Sequence, residues 1–336
     1  MRIISWVNKD SGPSYHRCIM PLLLMEGVDV YITNNLLKED FDKGCDILMY
    51  NRILPDHSLE MISKLKEKHG FKTCVDVDDF WELDPHHILY ESYSEINFAG
   101  LQVAQIKSAD MVFTTHERLA EEILIYNKNV HVIPNAIPKT GQFDIERIAS
   151  PFTRLFWQGS DTHKEDINIL QRPIDIISDI SGKIKMVMGG YAEENDSWYK
   201  MVMDYTAKLK HQYKLLPYTN ISEYYNHYQH ADVCLVPLVN SRFNRLKSNL
   251  KVLEAANLGL PVIASNVHPY KDMPLLYCEK ASDWIKYIRD LVKSRKRQKE
   301  CGAELKEFCD INFNFSKINR QRKQIFEYES SKQTIS

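Results

Sequence analysis

The chain has 336 residues, of which 44% are hydrophobic and 26% charged, with 18 Tyr, 13 Phe and a formal net charge of -2. That length exceeds one ordinary domain and suits two, while the composition excludes a disordered chain and any whole-molecule attraction to nucleic acid or anionic membrane. Residues 1–7 lack the apolar core of a signal peptide, and no run of about 18 apolar residues occurs, so no transmembrane segment is expected. The seven cysteines are odd in number and form no CxxC pair. They read as buried reduced thiols, which makes the cytoplasm the expected compartment.

Short apolar runs alternate with segments of helical period, the pattern of an α/β fold with parallel sheets. Residues 3–7 form the first expected strand, followed by a polar turn over 8–14 and a helix that sends Cys18, Leu22, Leu23 and Met25 toward a core. Further strands are expected at 28–32, 45–50, 73–77, 111–114 and 130–133, with a helix through Leu119 and Ile123. The stretch 134–151 is polar and turn-rich, with Pro138, Gly141 and Pro151, and reads as a linker. A second series comes after it, with strands at 154–157, 184–188, 233–236 and 261–264, then an amphipathic helix over 284–299 and a terminal one over 315–328. The expected domains are 1–138 and 150–312, with the helix at about 313–330 able to pack back on the first. In such sheets ligands bind at the carboxyl ends of strands, where chemistry-bearing residues are to be sought.

The basic segment SRFNRLKSNLKVLEAANLGLPVIAS, residues 241–265, carries Arg242, Arg245, Lys247 and Lys251 into the start of an expected helix. Asn244 or Ser248 is a candidate cap. Cations at a helix amino end add to its positive dipole and form a cradle for the roughly two negative charges of a diphosphate. On one continuous helix Lys247, Lys251 and Glu254 share a face, and Glu254 is placed to accept ribose hydroxyls. A solvated surface helix is the plain alternative. The loop SGPSYHRCIMPL, residues 11–22, offers Gly12, Ser14, His16 and Arg17, a turn and a guanidinium suited to phosphate. In CVDVDDFWELDPHH, residues 74–87, Asp78 or Asp79 is a candidate base for an acceptor hydroxyl and Trp81 a candidate acceptor contact. The Asp76–Asp78 DxD arrangement also suggests a divalent metal, whereas His86 and His87 are adjacent and lack zinc spacing. His116 and His163 are candidates for contacts to a sugar or its leaving group.

The segment 241–265 resembles the donor-binding helix of retaining GT-B glycosyltransferases related to family 4. Of that family's two glutamates separated by seven residues, Glu254 matches the second, while Leu246 stands at the first. Lys247 and Ser248 match a subgroup with "KS..K.LE", in which they would meet the diphosphate. TTHERLAEEILIYNKNVHVIPNAI, residues 114–137, resembles the end of the family's first domain. LFWQGSDTHKEDI, residues 155–167, resembles the start of its second, where Gly159 and Ser160 would approach the phosphates. YTNISEYYNHYQHADVCLVPL, residues 218–238, resembles the stretch after its base-binding strand. The resemblance covers roughly residues 1–320. It implies two Rossmann-like domains facing across a cleft, a nucleotide-diphosphate sugar as co-substrate, no cofactor or metal, and transfer with retention. Arg17, Lys247 and the Gly159 turn would then stabilise the leaving diphosphate.

Two acceptors fit the sequence. "GPSYHR" and "DVDDFWEL" also resemble phage-encoded glycosyltransferases, which implies hydroxymethylated cytosine in DNA as acceptor. Flipping a base out of a duplex would draw on Phe80, Trp81, Tyr90 and Tyr93. The second acceptor is a glycan or lipid-linked saccharide of polysaccharide synthesis. Residues 286–299 hold seven basic residues against Asp290, and KINRQRKQ, residues 317–324, adds four. That patch is a solvated face, a peripheral contact to anionic lipid, or a contact to DNA phosphates. A sugar-nucleotide 2-epimerase and an inactive nucleotide-sugar-binding module are the competing readings of the same architecture.

Overall fold

The structure, a computed structural model, describes residues 1–51, 57–177, 183–192, 194–207, 209 and 212–332. Its contacts divide the chain into two units. One comprises Met1–Ala136, Leu246–Ser248 and Phe315–Ser336, the other Ile137–Arg245 and Asn249–Asn314.

Unit 1 is built on a six-stranded parallel sheet in the order β2-β1-β3-β4-β5-β6. The strands are β1 Arg2–Trp6, β2 Asp29–Thr33, β3 Ile47–Asn51, β4 Lys72–Val77, β5 Met111–Thr114 and β6 Val130–Val132. β3 and β5 are buried along their whole length, which is why they read in sequence as unbroken apolar runs. The helical segment after β1 contains a π-helical turn, Tyr15–Ile19. A π-turn inserts an extra residue and rotates the helix downstream of it. Cys18, Leu22 and Met25 therefore reach the core, whereas Leu23, expected there, is 65% exposed.

The terminal helix Phe315–Ser331 belongs to unit 1. Asn319 Nδ2 donates to the Pro21 carbonyl at 2.9 Å, Lys323 Nζ to that of Glu26 at 2.8 Å, and Phe326 stacks on Phe113 with ring centroids 5.1 Å apart. Arg322, counted in the basic patch from sequence, is buried in this helix and is no part of a surface.

Unit 2 repeats the architecture with the order β12-β11-β10-β7-β8-β9. Its strands are β7 Thr153–Gln158, β8 Ile184–Tyr191, β9 Tyr213–Pro217, β10 Val233–Val236, β11 Val262–Ser265 and β12 Leu276–Cys278. The chain runs outward one way through β8 and β9 and the other way through β11 and β12. β7 and β10 therefore flank the switch point, where a crevice opens at the carboxyl ends. One face of the sheet is packed by Trp157, Trp198 and Trp284 with Met186 and Ile263.

The single helix expected over 284–299 is two, Ala281–Lys293 and Arg295–Asn312. Ser294 adopts extended backbone between them, and its hydroxyl accepts the Arg297 N–H at 3.2 Å, which caps the second helix. That helix presses on the end of Leu250–Asn257 so closely that a Cβ at Gly302 would stand 1.9 Å from the Gly259 carbonyl oxygen.

Phe326→Ala tests how unit 1 depends on its terminal helix. Deleting this ring should lower the unfolding free energy by about 3–5 kcal/mol in denaturant titrations of the full chain. A loss under about 1 kcal/mol would mean that the helix is dispensable to unit 1.

Candidate functional site

In unit 1 the polar residues just past β1 turn inward. Arg17 is 1% exposed and Asp76, at the end of β4, 0%. The guanidinium meets the carboxylate through Nε at 2.9 Å and Nη2 at 2.9 Å. Nη1 donates to the Ile133 carbonyl at 2.6 Å and to Asn135 Oδ1 at 3.0 Å, and Nη2 also approaches the Thr114 carbonyl at 3.4 Å. All five N–H groups are thus spent on the protein, and Arg17, expected as a phosphate clamp, is a positioning residue for the ends of β4, β5 and β6.

Its neighbours are corrected in the same way. Ser14 is buried and its hydroxyl donates to Asn51 Oδ1 at 3.3 Å, so it is closed to a phosphate. His16 is buried, and burial together with the Arg17 charge lowers its pKa to about 3. It stays neutral and inside. Gly12 is half-buried at the start of the helical segment. Trp81 is buried against Phe80 at 4.8 Å and Tyr126 at 6.0 Å between ring centroids, which makes it core rather than an acceptor contact. Asp78 and Asp79 are half-buried just beyond β4.

His116 caps the helix Glu117–Leu124, its Nδ1 accepting the Leu119 N–H at 3.3 Å. Nε2 lies 3.2 Å from the Leu246 carbonyl oxygen and therefore carries the proton. Burial lowers its pKa against the pull of that carbonyl, so both ring nitrogens serve the protein in the neutral form. Ser248 Oγ accepts from Asn135 Nδ2 at 2.9 Å, which ties the segment Leu246–Ser248 to the end of unit 1's first part.

In unit 2 the residues gather at the switch point. The helix expected from about Asn244 begins only at Leu250. Lys247 precedes it and does not share a helical face with Lys251 and Glu254. Neither candidate cap serves: Asn244 Nδ2 donates to Asp166 Oδ1 at 3.1 Å, Ser248 is held by Asn135, and no side chain caps the helix at Asn249. The amino end of Leu250–Asn257 has no side-chain cap, and the Val252 and Leu253 N–H groups both turn to the Asn249 carbonyl, at 2.9 and 3.2 Å.

Glu254 lies one turn on and is 4% exposed. Tyr224 donates its hydroxyl to Oε1 and Tyr228 to Oε2, the latter at 2.6 Å, while Tyr225 donates to the Glu254 carbonyl at 2.8 Å. Burial raises the carboxyl pKa against the tyrosine hydrogen bonds and the Lys251 charge, which lower it. The carboxylate expected to meet a ribose is closed by two phenols, of which Tyr224 is the less buried.

Lys251 stands at the other end of this turn. Its Nζ is 3.2 Å from His163 Nε2 and 6.0 Å from the centre of the Trp157 ring. His163 Nδ1 is 2.8 Å from Asp166 Oδ2, and Asp166 Oδ1 accepts the Val239 N–H, just past β10, at 2.8 Å. Gly159 ends β7 against the same ring: a Cβ there would lie 2.8 Å from Trp157 Cζ2 and 3.0 Å from His163 Cδ2, so only glycine fits. Ser160 is exposed beside it, its hydroxyl 2.6 Å from that of Thr162. Gly159, His163, Asp166, Asn244 and Lys251 are thus brought together from four parts of the unit.

Sequence reasoning missed Asp166, Asn244 as its partner, and the tyrosines on Glu254. His163 and Asp166 stand three apart, a spacing that brings side chains together on a helical turn and was available as a signal. Among the described residues no cluster of His, Cys, Asp and Glu is arranged to hold a metal. No described helix is long and apolar enough to cross a membrane. Of the basic patch, Arg295 bonds the Phe152 carbonyl at 2.7 Å and pairs with Asp232 at 3.3 Å, and Lys296 pairs with Glu300 at 3.7 Å.

Residues 153–294, from β7 through the helix Ala281–Lys293, match the family described as Glycosyl transferases group 1. No curated protein matches the sequence. Among solved structures the chain is similar to a sucrose-phosphate synthase from Thermosynechococcus elongatus, at 15% identity and a TM-score of 0.70, over 98% of this chain and 100% of that one. It is similar to Anabaena HepE in complex with UDP-glucose, at 12% identity and a TM-score of 0.65, over 98% and 100%. It is also similar to an α-glucosyltransferase in complex with UDP and a 13-mer DNA containing a central A:G mismatch, at 13% identity and a TM-score of 0.66, over 97% and 100%. These structural similarities establish the shared fold, two Rossmann-like domains of GT-B type, with the family match lying in the second of them.

Asp76→Ala separates the two roles of Arg17. Stranding the guanidinium in the core should cost about 3–5 kcal/mol in unfolding free energy. Unchanged denaturant midpoints would return Arg17 to the role of a free phosphate clamp.

Proposed function

We propose that the chain, a glycosyltransferase of the GT-B fold, transfers a sugar from a nucleotide-diphosphate sugar to an acceptor hydroxyl with retention. The observation that carries this reading is the gathering of Lys251, His163 and the Gly159 turn around an uncapped helix end at the β7/β10 switch point. Glycosyl transfer breaks a bond to a diphosphate that gains negative charge as it leaves. Preorganised cations and helix amides aimed at that charge lower the barrier most. Lys247 and Ser248, immediately ahead of the helix, add a second cation and a hydroxyl to the same segment. A ribose hydroxyl takes the place of the Tyr224 hydroxyl on Glu254, which exchanges one hydrogen bond for another at little cost.

For the acceptor we favour hydroxymethylated cytosine in DNA. Two supports are the resemblance of residues 12–17 and 76–83 to phage enzymes and the similarity to an α-glucosyltransferase in complex with UDP and DNA. With Phe80 and Trp81 buried and Tyr93 stacked on Phe98 at 4.0 Å, Tyr90 is the exposed aromatic of the four expected to assist base flipping. A saccharide acceptor is the alternative that the assay must separate.

Purified protein is incubated with labelled UDP- and GDP-sugars and either hydroxymethylcytosine DNA or glycan and lipid extracts. Label should enter the DNA, and Lys247→Ala should reduce transfer by ~100-fold or more with unchanged unfolding. Label in the extracts alone would replace the DNA acceptor. Normal transfer by Lys247→Ala would remove the segment from the site.

A further inference from the structure

At the amino ends of the unit 2 strands, opposite the ends that form the switch point, cations outnumber carboxylates. Asp232, just ahead of β10, is bonded by Arg154 through Nε at 2.9 Å and Nη2 at 3.2 Å, and Arg295 and Arg147 approach it at 3.3 and 3.9 Å. Three guanidiniums thus share one carboxylate. Arg154 is the register partner of Lys185 on β8. Val187, two residues on and so on the same face, is the register partner of Lys214 on β9. Arg154, Lys185 and Lys214 therefore share one face, with like charges side by side, an arrangement that costs stability. Among the described residues neither lysine is paired with a carboxylate. Lys214 Nζ lies 3.3 Å from His230 Nε2, and both lysines are half-buried. Burial, then the charges of Lys185 and Arg154, lower the Lys214 pKa, the direction expected of an ammonium short of a counter-charge.

We propose that this row is an exosite for the phosphodiester backbone of nucleic acid, with Lys185 and Lys214 each meeting one phosphate and Arg154, locked to Asp232, as the frame beside them. The inference rests on the DNA acceptor proposed above and gives that partner a second contact, on a part of unit 2 that holds none of the donor residues. The strands run in the order β10, β7, β8, β9, so the row from Asp232 to Lys214 spans three strand spacings, about 14 Å. A compact anion would leave most of that length unused, whereas a chain of phosphates repeats its charge along it. Anchoring to an anionic membrane requires a broad apolar face beside the cations. Ile148, next to Arg147, and Phe152, whose carbonyl accepts from Arg295, are 46% and 38% exposed, and two side chains do not make such a face. Phosphates relieve the repulsion between neighbouring cations and release condensed counter-ions to solvent, which is the source of the affinity.

Anisotropy of a labelled DNA duplex without hydroxymethylcytosine, titrated with the full chain over a series of salt concentrations and without donor, reads the exosite alone. The double variant Lys185→Gln, Lys214→Gln should raise Kd roughly tenfold at about 0.1 M salt and reduce the slope of log affinity against log salt by about two. Equal Kd and slope in variant and wild type overturn the exosite, as does a wild type that binds no DNA at low salt. Vesicles of phosphatidylserine and phosphatidylcholine form a second arm: a variant that loses vesicle binding and keeps DNA binding overturns the proposal and assigns the row to lipid. Should the double variant fail to fold, amine-reactive labelling of the wild type decides. Protection of Lys185 and Lys214 by DNA supports the exosite, and equal labelling with and without DNA overturns it. The acceptor reading fails separately. Lysine-dependent DNA binding without sugar transfer to hydroxymethylcytosine removes the acceptor and leaves the exosite, and transfer with binding that ignores the two lysines does the reverse.

Discussion

A buried carboxylate sets the geometry of unit 2. Removing Glu254 from water costs several kcal/mol unless its oxygens are met by donors, and two tyrosine hydroxyls from the turn Tyr224–His230 meet them. This fixes the rotation of the helix Leu250–Asn257 about its axis. With Glu254 turned inward, Lys251, three residues earlier, is carried to the edge facing His163 and Trp157. The close approach of Gly302 to Gly259 pins the far end of the same helix. The uncapped amino end is thereby held at the switch point rather than left to fray.

Unit 1 uses the same kinds of residue to a different end. Arg17 and Asp76 also lie at strand ends of a parallel sheet, but their charges are consumed by each other and by backbone carbonyls. Such a pair contributes little net stability relative to apolar residues, yet removing either member leaves an uncompensated charge. The difference between the units lies in burial. A cation whose donors are all taken inside the protein holds strands together, whereas Lys251 is only half-buried, its Nζ 3.2 Å from His163 Nε2.

The fold was largely legible because buried parallel strands must be apolar on both faces. Runs such as 47–50 and 111–114 leave little room for another reading. β9 and β12 escaped because Tyr213–Pro217 carries Lys214 and Pro217, and Leu276–Cys278 is only three residues long. The break at Ser294 was hidden by an amphipathic pattern that continues across it. In the site, Lys251 and Glu254 were visible as charges in a helical register, but which of them turns inward depends on tyrosines 26 and 30 residues away. The inward turn of Arg17 depends on Asp76, Ile133 and Asn135, up to 118 residues distant. Trp81 and His16 were misplaced for the same reason. A side chain's chemistry is written locally, and its direction is decided by partners that only the fold assembles.

The most direct test of the account is a crystal structure with UDP or GDP bound. The diphosphate is predicted to lie at the amino end of the Leu250–Asn257 helix, with an oxygen about 2.7–3.2 Å from Lys251 Nζ. A nucleotide seated elsewhere, with Lys251 still donating to His163, would contradict it.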